Sequence, residues 1–217
     1  TQITVKPMKG TAPRHADSNT NEDAKIQLAA DEKNRAENLI IVDLLRNDLA
    51  KFAKTGSVQV DKLFAVEEYA TVLQMTSQIS AEIENTTSLQ TIINGLFPCG
   101  SITGAPKKKT IELIEAIEQS PRGVYTGAIG YVLPSNDMLF NVAIRTITQS
   151  KNAQFAQIGV GGGITINSTA QDEWQEIKTK LRFISQFYQP NFNLVESLLI
   201  KNGCVQNLEA HLVRLQN

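Results

Sequence analysis

The chain has 217 residues and a mass of 23.9 kDa, with 41% hydrophobic and 20% charged residues and a net charge of −1. This composition is typical of a folded protein, and the balanced charge and short apolar runs give no footprint for nucleic acid or for a membrane. Two cysteines rule out a disulfide scaffold and suit a reducing, cytoplasmic environment, and two histidines are too few for a histidine-rich zinc site.

The N-terminal part predicts a strand, a loop and two helices. The extended run TQITVK precedes a polar loop at 11–21. Helical periodicity then continues from Glu22 to Phe52, and Asp31, a residue type favoured at helix N-caps, divides it in two. The apolar residues expected on the buried face of the second helix are Ala36, Leu39, Ile40, Leu44 and Leu45. Because the chain starts in a strand without Met and stops inside a helical pattern, we expect it to be a piece of a longer polypeptide.

The central part predicts alternating strands and helices. In chain order these are strands at 57–60, 63–67 and 70–83, a helix at 88–97, a loop at Pro98–Gly104, a helix after Pro106, a hairpin of strands 124–133 and 138–148, strands at 155–158 and 164–166, and a helix at 170–188. The last segment, 191–217, predicts a strand, an Asn202–Gly203 turn, a second strand and a helix, because Asn-Gly between apolar runs favours a hairpin. We expect this segment to begin another domain.

Three charged residues of the helix at 170–188 share one side. Glu173, Glu176 and Lys180 are spaced i, i+3 and i+7. This face is either solvated, with a Glu176–Lys180 ion pair, or supplies a carboxylate to Mg²⁺, which prefers oxygen ligands. Glu37, on an earlier helix, is either a surface carboxylate or a second such group.

Other segments also allow two interpretations. The turn 101–107 is either an anion site at a helix N-terminus or an ordinary cap, and Gly161–Gly163 either admits a ligand or forms a bulge. Arg145, in a predicted strand, needs a carboxylate partner from a ligand or from the protein. The polar residues at 43–48 suggest a buried network or a catalytic site. Lys9 alone favours an ordinary lysine, since a nucleophilic lysine needs a depressed pKa.

Taken together, six motifs resemble the C-terminal half of the chorismate-utilising enzymes, the family of anthranilate synthase component I and aminodeoxychorismate synthase component I. They are PMKGTAPR, DEKNRAENLIIVDLLRNDL, LFPCGSITGAPKKKTIELI, GVYTGAIGY, FNVAIRTIT and VGGGITINSTAQDEWQEIKTK, in family order over about residues 5–185. The resemblance implies an α+β fold, in which mostly antiparallel sheets form a sandwich flanked by helices. It also implies that residues 1–188 are the C-terminal part of the chorismate-binding domain.

Two details resemble the p-aminobenzoate branch of that family: Lys9, where anthranilate synthases have alanine, and KNRAEN in place of KELAEH-like wording. The branch implies Mg²⁺-dependent amination of chorismate at C4 to 4-amino-4-deoxychorismate, with ammonia from a glutamine amidotransferase subunit. One alternative is anthranilate synthase activity. Another is a truncated fragment that binds chorismate and Mg²⁺ without turnover.

The resemblance also implies roles for individual residues. Lys9 would be the catalytic nucleophile, with Lys180 near the substrate. The Mg²⁺ ligands would be Glu37, Glu173 and Glu176. The substrate-binding residues would be Thr103, Gly104, Ala105, Arg145, Gly161, Gly162 and Gly163.

The chain departs from the family pattern at two positions. Gln74 replaces a histidine of an HLVS-like motif and Asn34 replaces a glutamate of anthranilate synthases. A third family residue, the general-acid glutamate of an SPE motif, is expected upstream of residue 1. We therefore expect the active site of this chain to be incomplete.

The segment FNLVESLLIKNGCVQNLEAHLVRL resembles the opening of aminodeoxychorismate lyase, a pyridoxal-phosphate enzyme of the branched-chain aminotransferase fold. It implies that residues 189–217 are a linker and the start of a lyase domain in a synthase–lyase fusion. Arg214 matches the lyase arginine that helps to hold the cofactor phosphate, so PLP would serve only that domain.

Overall fold

The computed structural model describes residues 1–70, 72–166, 168–186, 200–201 and 204–205. They belong to two compact units, residues 1–159 and 160–217. The elements of the first unit are β1 (Gln2–Val5), β2 (Met8–Pro13), α1 (Ser18–Ala30), α2 (Glu32–Ala50), β3 (Gln59–Glu68), β4 (Val72–Glu82), α3 (Leu89–Leu96), α4 (Gly100–Thr103), α5 (Lys107–Glu118), β5 (Ala128–Val132), β6 (Met138–Val142), β7 (Ile147–Thr148) and β8 (Gln157–Ile158). Those of the second are α6 (Ala170–Gln186), β9 (Ile200–Lys201) and β10 (Cys204–Val205).

Strand β4 organises the main sheet of the first unit. Strand β1 pairs with residues 79–82 of β4 and β2 pairs with residues 72–76, so β1 and β2 follow each other along one edge. Strand β3 pairs with the other edge of β4, and every pairing is antiparallel. The remaining described strands form three antiparallel pairs, β5–β6, β7–β8 and β9–β10. Helices and antiparallel strands therefore give the predicted α+β class.

Asp31 separates α1 from α2, as the sequence predicted. Its backbone N–H donates to Leu28 O at the end of α1, and its carboxylate accepts from the Asn34 N–H at 2.7 Å at the start of α2. One residue thus satisfies backbone groups of both helix ends, where intrahelical partners are missing.

Helices α1 and α2 cover one face of the main sheet. Leu45 and Leu49 of α2 pack with Ile79 of β4, while Leu28 of α1 packs with Met75. The buried residues of α2 are Asn38, Ile41, Val42, Leu45, Asp48 and Leu49. The predicted buried face was partly wrong, since Leu39 and Ile40 are 50% and 57% exposed. The buried face of α2 includes the polar residues Asn38 and Asp48. A search for apolar spacing alone therefore could not locate that face correctly.

The contrast between Leu49 and Leu39 gives a stability prediction. Leu49 is fully buried, so Leu49→Ala should lower the free energy of unfolding by about 2–5 kcal/mol through lost burial and a cavity. Leu39→Ala, on the same helix, is the matched control and should cost less than about 0.5 kcal/mol. Urea denaturation followed by circular dichroism measures both, and equal losses would contradict the packing of α2.

Several predicted elements differ in the structure. Strand β2 occupies 8–13, where a loop was expected from residue 11, and β3 is one irregular strand rather than two. Residues 100–103 form a helical turn, and 164–166 form no strand. The β5–β6 hairpin is confirmed, as is pairing of β9 with β10 on either side of Asn202–Gly203.

Parts of the C-terminal predictions lie outside the described residues. These are the last two residues of the helix at 170–188 and most of the segment 191–217. The domain boundaries at 188 and 189 therefore stay predictions. In the described part of the chain no helix combines the length and apolarity needed to cross a membrane.

Candidate functional site

A β-bulge carries Lys9 toward helix α2. Met8 lies opposite Thr76 and Thr11 opposite Gln74, so three residue steps on β2 face only two on β4. An extra residue bends a strand and re-aims its side chains. Lys9 Nζ lies 3.7 Å from Glu37 Oε2, and both side chains are about 30% exposed. Two residues predicted to act together are therefore neighbours, although they are 28 positions apart.

The residue after Glu37 is a buried amide that sequence reasoning did not select. Asn38 is fully buried, and its Oδ1 accepts a hydrogen bond from Ser77 Oγ at 2.6 Å. Ser77 Oγ in turn accepts from the Phe64 N–H at 3.1 Å. Asn38 Nδ2 has no partner among the described residues, which is uncommon for a buried donor. The link from α2 through β4 to β3 fixes the part of the helix that bears Glu37.

Of the polar residues at 43–48, Asp48 alone is buried, whereas Asp43 and Arg46 form an exposed ion pair at 3.0 Å, so the alternative of a buried network holds for Asp48 only. Its carboxylate is 1% exposed and bonds Lys51 at 2.7 Å and Lys107 at 2.5 Å. Lys107 is the first residue of α5, so the ion pair ties the start of α5 to α2. The charge of Lys107 is neutralised by Asp48. Lys107 is therefore not available to an anion at the turn 101–107.

Thr103 is the last residue of α4, and Gly104 and Ala105 follow it in the turn that leads to α5. Thr103 is buried, and its hydroxyl donates to Cys99 O at 3.3 Å within the same turn. Gly104 has a φ of +97°, a conformation that favours glycine. The side-chain donor of Thr103 is therefore turned inward.

A cavity of about 240 Å³ lies beside this turn, and the sequence did not reveal it. Its lining includes Thr103 together with Ile111 and Ile114 of α5, and Arg122 and Tyr125 from the segment before β5. The hydrogen bonds from Arg122 lower the pKa of Glu118 below its ordinary value, and burial raises the pKa of Tyr125. Arg122 is thus held by Glu118 at 2.6 Å, and its charge is largely compensated.

Arg145 does not lie in a strand, so this prediction was wrong. It occupies an exposed bend between β6 and β7 with a φ of +50°. Ile144 and Thr146 on either side suggested an extended run, but the pairing of β6 ends at Val142. Within the described residues no carboxylate lies in ion-pair range of Arg145, and its partner, a ligand or a protein carboxylate, stays a prediction.

In the second unit the glycine run and the charged face of α6 converge. Lys180 Nζ donates to Gly161 O at 2.9 Å and pairs with Glu176 Oε1 at 2.6 Å. Glu173 accepts from Ser168 Oγ at 2.6 Å. A Cβ added to Gly162 would lie 2.7 Å from Glu173 Oε2 and 3.8 Å from both Glu176 Oε1 and Lys180 Nζ. The backbone of Gly162 therefore approaches all three side chains as no larger residue could.

This donor set fits Mg²⁺ in kind. Glu173 and Glu176 present carboxylate oxygens beside the backbone of Gly162, which carries no side chain. Mg²⁺ is usually held by one or two carboxylates together with water and substrate oxygens. Among the described residues no three His, Cys, Asp or Glu side chains form a closed metal cluster. An open site of two carboxylates is compatible with that finding. Glu37 belongs to the first unit.

Comparison with known proteins identifies the family. The model of the chorismate binding enzyme family matches residues 1–186. The chain belongs to the chorismate binding enzymes. Among curated relatives, it is 45% identical over 175 residues to aminodeoxychorismate synthase of Streptomyces pristinaespiralis, covering 81% of this chain and 24% of that protein. It is 38% identical to aminodeoxychorismate synthase component 1 of Bacillus subtilis, covering 80% of this chain and 37% of the relative.

Solved structures confirm the fold of this chorismate binding enzyme. Anthranilate synthase component I from Streptococcus pneumoniae is 31% identical with a TM-score of 0.68, covering 82% of this chain and 39% of the other. The menaquinone-specific isochorismate synthase of Escherichia coli gives a TM-score of 0.76 at 24% identity, covering 87% and 42%, a likeness of fold alone. The chain spans 24% to 37% of the two curated relatives described above.

The predicted site residues of this family member thus fall into two described groups. Lys9 and Glu37 meet in the first unit, which also holds the turn 103–105 and Arg145. The second unit holds Gly161–Gly163, Glu173, Glu176 and Lys180. Arg214, predicted for the lyase-like segment, lies outside the described residues.

Proposed function

We propose that this chain contributes to the Mg²⁺-dependent amination of chorismate at C4, which yields 4-amino-4-deoxychorismate for p-aminobenzoate and folate synthesis. The observation that carries the proposal is Lys9, in a bulge 3.7 Å from Glu37. Relatives named aminodeoxychorismate synthase, at 38% to 45% identity, support the same branch. Ammonia would come from a glutamine amidotransferase partner, and we place the reaction in the cytoplasm.

Lys9 would act as the nucleophile. Its amine adds to C2 of the ring as the C4 hydroxyl departs as water, taking up the proton that the amine loses. Ammonia then adds at C4 and gives up one proton, while the lysine nitrogen takes up a proton and leaves C2 as the free amine. Two displacements replace one difficult step, which is the logic of covalent catalysis.

The glutamate carboxylates would orient the substrate through a Mg²⁺ ion that binds a carboxylate of chorismate. Glu37, Glu173 and Glu176 would hold Mg²⁺, whose charge neutralises a substrate carboxylate when it is bound. Lys180, held by Gly161 O, would lie beside the substrate. The backbone of Gly161–Gly163, the turn 103–105 and Arg145 would bind carboxylate oxygens.

One alternative activity has its own support. Anthranilate synthase component 1 3 of Haloarcula marismortui is 38% identical over 181 residues. This equals the identity to aminodeoxychorismate synthase component 1 of Bacillus subtilis. An amino group ortho rather than para to the ring carboxylate would then be introduced. Binding of chorismate and Mg²⁺ without turnover is the second alternative for this chain.

A coupled assay tests the proposal. The chain is incubated with chorismate, Mg²⁺ and ammonium at alkaline pH, and aminodeoxychorismate lyase is then added. We expect p-aminobenzoate, detected by chromatography, and no product when Mg²⁺ is replaced by EDTA. The natural protein in which these residues occur is assayed in parallel. Anthranilate as its product would overturn the proposed branch, and an active natural protein beside an inactive chain would show that this chain does not turn over chorismate.

We extend the proposal to the segment 189–217 as the start of a PLP-dependent lyase domain. Its support is the sequence resemblance and the β9–β10 pair. Formation of p-aminobenzoate by the natural protein without added lyase would be the expected result.

A further inference from the structure

We propose that Gln74 is a positioning residue for Lys9, and that it acts by holding the bulge of β2 in place. The inference rests on the proposed role of Lys9. Gln74 does not touch the substrate-facing amine; it bonds the two residues that follow Lys9 in the chain.

The first observation is a pair of hydrogen bonds from one side chain. Gln74 Nε2 donates to Gly10 O at 2.7 Å, and Gln74 Oε1 accepts from Thr11 Oγ1 at 2.9 Å. Thr11 is also the cross-strand partner of Gln74 in the register of β2 and β4. Both ends of the amide are therefore used on β2, next to the residue that carries the amine.

The second observation is that the bonds fall on the irregular part of the strand. A bulge interrupts the regular ladder of backbone hydrogen bonds and leaves part of the strand less constrained. Here the interruption spans Lys9 and Gly10. The amide of Gln74 supplies the Gly10 carbonyl with a donor from a side chain.

The third observation is that the bulge is held from both faces of the sheet. Side chains alternate along β4, so Leu73 and Met75 pack toward α1 while Gln74 points to the opposite face. On the helix side, Asn34 of α2 closes over Gly10, where an added Cβ would lie 2.9 Å from Asn34 Cγ. Gly10 has a φ of +86°, which further favours glycine. The bulge can therefore shift only when the hydrogen bonds from Gln74 to Gly10 and Thr11 are broken.

The consequence is that the distance between Lys9 and Glu37 depends on Gln74. A nucleophile displaced by about 1 Å can lose about 100-fold in rate. A glutamine has one donor group and one acceptor group at its end, and both are used here. Glutamate at this position keeps the shape and the acceptor but loses the donor to Gly10 O.

The test uses four variants of the natural protein. Gln74→Glu and Gln74→Ala remove the bond to Gly10, and Thr11→Val removes only the bond between side chains. Gln78→Ala is the matched control, because Gln78 lies on the same strand and the same face but donates to Asp61 Oδ2 at 3.1 Å. We expect kcat for amination to fall about 10- to 100-fold in the Gln74 variants with KM for chorismate little changed. Thr11→Val should fall less, and the control should be unaffected.

A second readout does not depend on amination. Pulse labelling with acetic anhydride, followed by mass spectrometry of the Lys9 peptide, reports the environment of the amine directly. We expect the Lys9 labelling rate to change in Gln74→Ala, which removes both hydrogen bonds without adding a charge, while that of Lys62, on β3, stays constant and the midpoint of urea unfolding matches that of Gln78→Ala. Unchanged Lys9 labelling in a folded Gln74→Ala variant would overturn the inference. Altered labelling in a protein whose wild type makes no aminated product would uphold the positioning role and refute the proposed function instead.

Discussion

Lys9→Ala should abolish C4 amination in the natural protein and leave chorismate binding nearly intact. Removing a nucleophile costs on the order of 10³-fold or more in kcat where this has been measured. The side chain is at the rim of the site rather than in the core, so the fold should survive its loss: Lys9 Nζ contacts Glu37 and is about 27% exposed. Initial rates from the coupled p-aminobenzoate assay and chorismate binding by calorimetry measure the two effects.

Two further variants separate nucleophilicity from charge. Lys9→Arg keeps a cation near Glu37 but supplies a guanidinium that stays protonated, so it should be as inactive as Lys9→Ala. Lys6→Ala removes a neighbouring lysine that pairs with Glu67 at 2.6 Å, and it should keep full activity. An active Lys9→Ala enzyme that still forms the C4-aminated product would refute the covalent role.

Glu176→Gln should raise the Mg²⁺ concentration needed for half-maximal activity by more than about tenfold. The change keeps the size of the side chain but removes the negative charge that a hard cation prefers, and changes around a metal site cost about 10- to 100-fold in affinity. It also replaces the 2.6 Å ion pair with Lys180 by a hydrogen bond to a neutral amide, while Lys180 keeps its bond to Gly161 O. A Mg²⁺ titration at saturating chorismate measures the effect.

The control for this variant is Glu115→Gln, the same chemical change on the exposed face of α5. It should leave the Mg²⁺ dependence unchanged. An identical Mg²⁺ requirement for Glu176→Gln and the wild type would mean that α6 presents a solvated face, the alternative that the sequence left open.

The two positions at which the chain departs from the family pattern meet at one place in the structure. Asn34 and Gln74 lie on different elements, and nothing in their spacing relates them. Both contact Gly10, one through packing and the other through a hydrogen bond. Sequence motifs identified each position separately, while the shared contact depends on the pairing of β2 with β4 and the packing of α2.

Arg145 and the face of α2 illustrate the limits of local patterns. A strand was expected at Arg145 because apolar and β-branched neighbours favour extended backbone, yet pairing ends at Val142 and the chain bends. On α2 the apolar spacing suggested that Leu39 is buried, whereas Asn38 and Asp48 take inward positions because Ser77 and Lys107 supply partners. A partner from a distant segment decides whether a polar residue can be buried.

The sequence by itself determined the helix boundary at Asp31, the β5–β6 hairpin, the family motifs and the chemistry of their side chains. These features depend on caps, turns and periodicity within a few residues, which are local properties of the backbone. Only the tertiary structure decided that Lys9 lies beside Glu37, that Lys107 forms an ion pair with Asp48, and that Gln74 bonds the bulge of β2. Those contacts join residues far apart in the chain, and they form only when sheet register and helix packing bring the segments together.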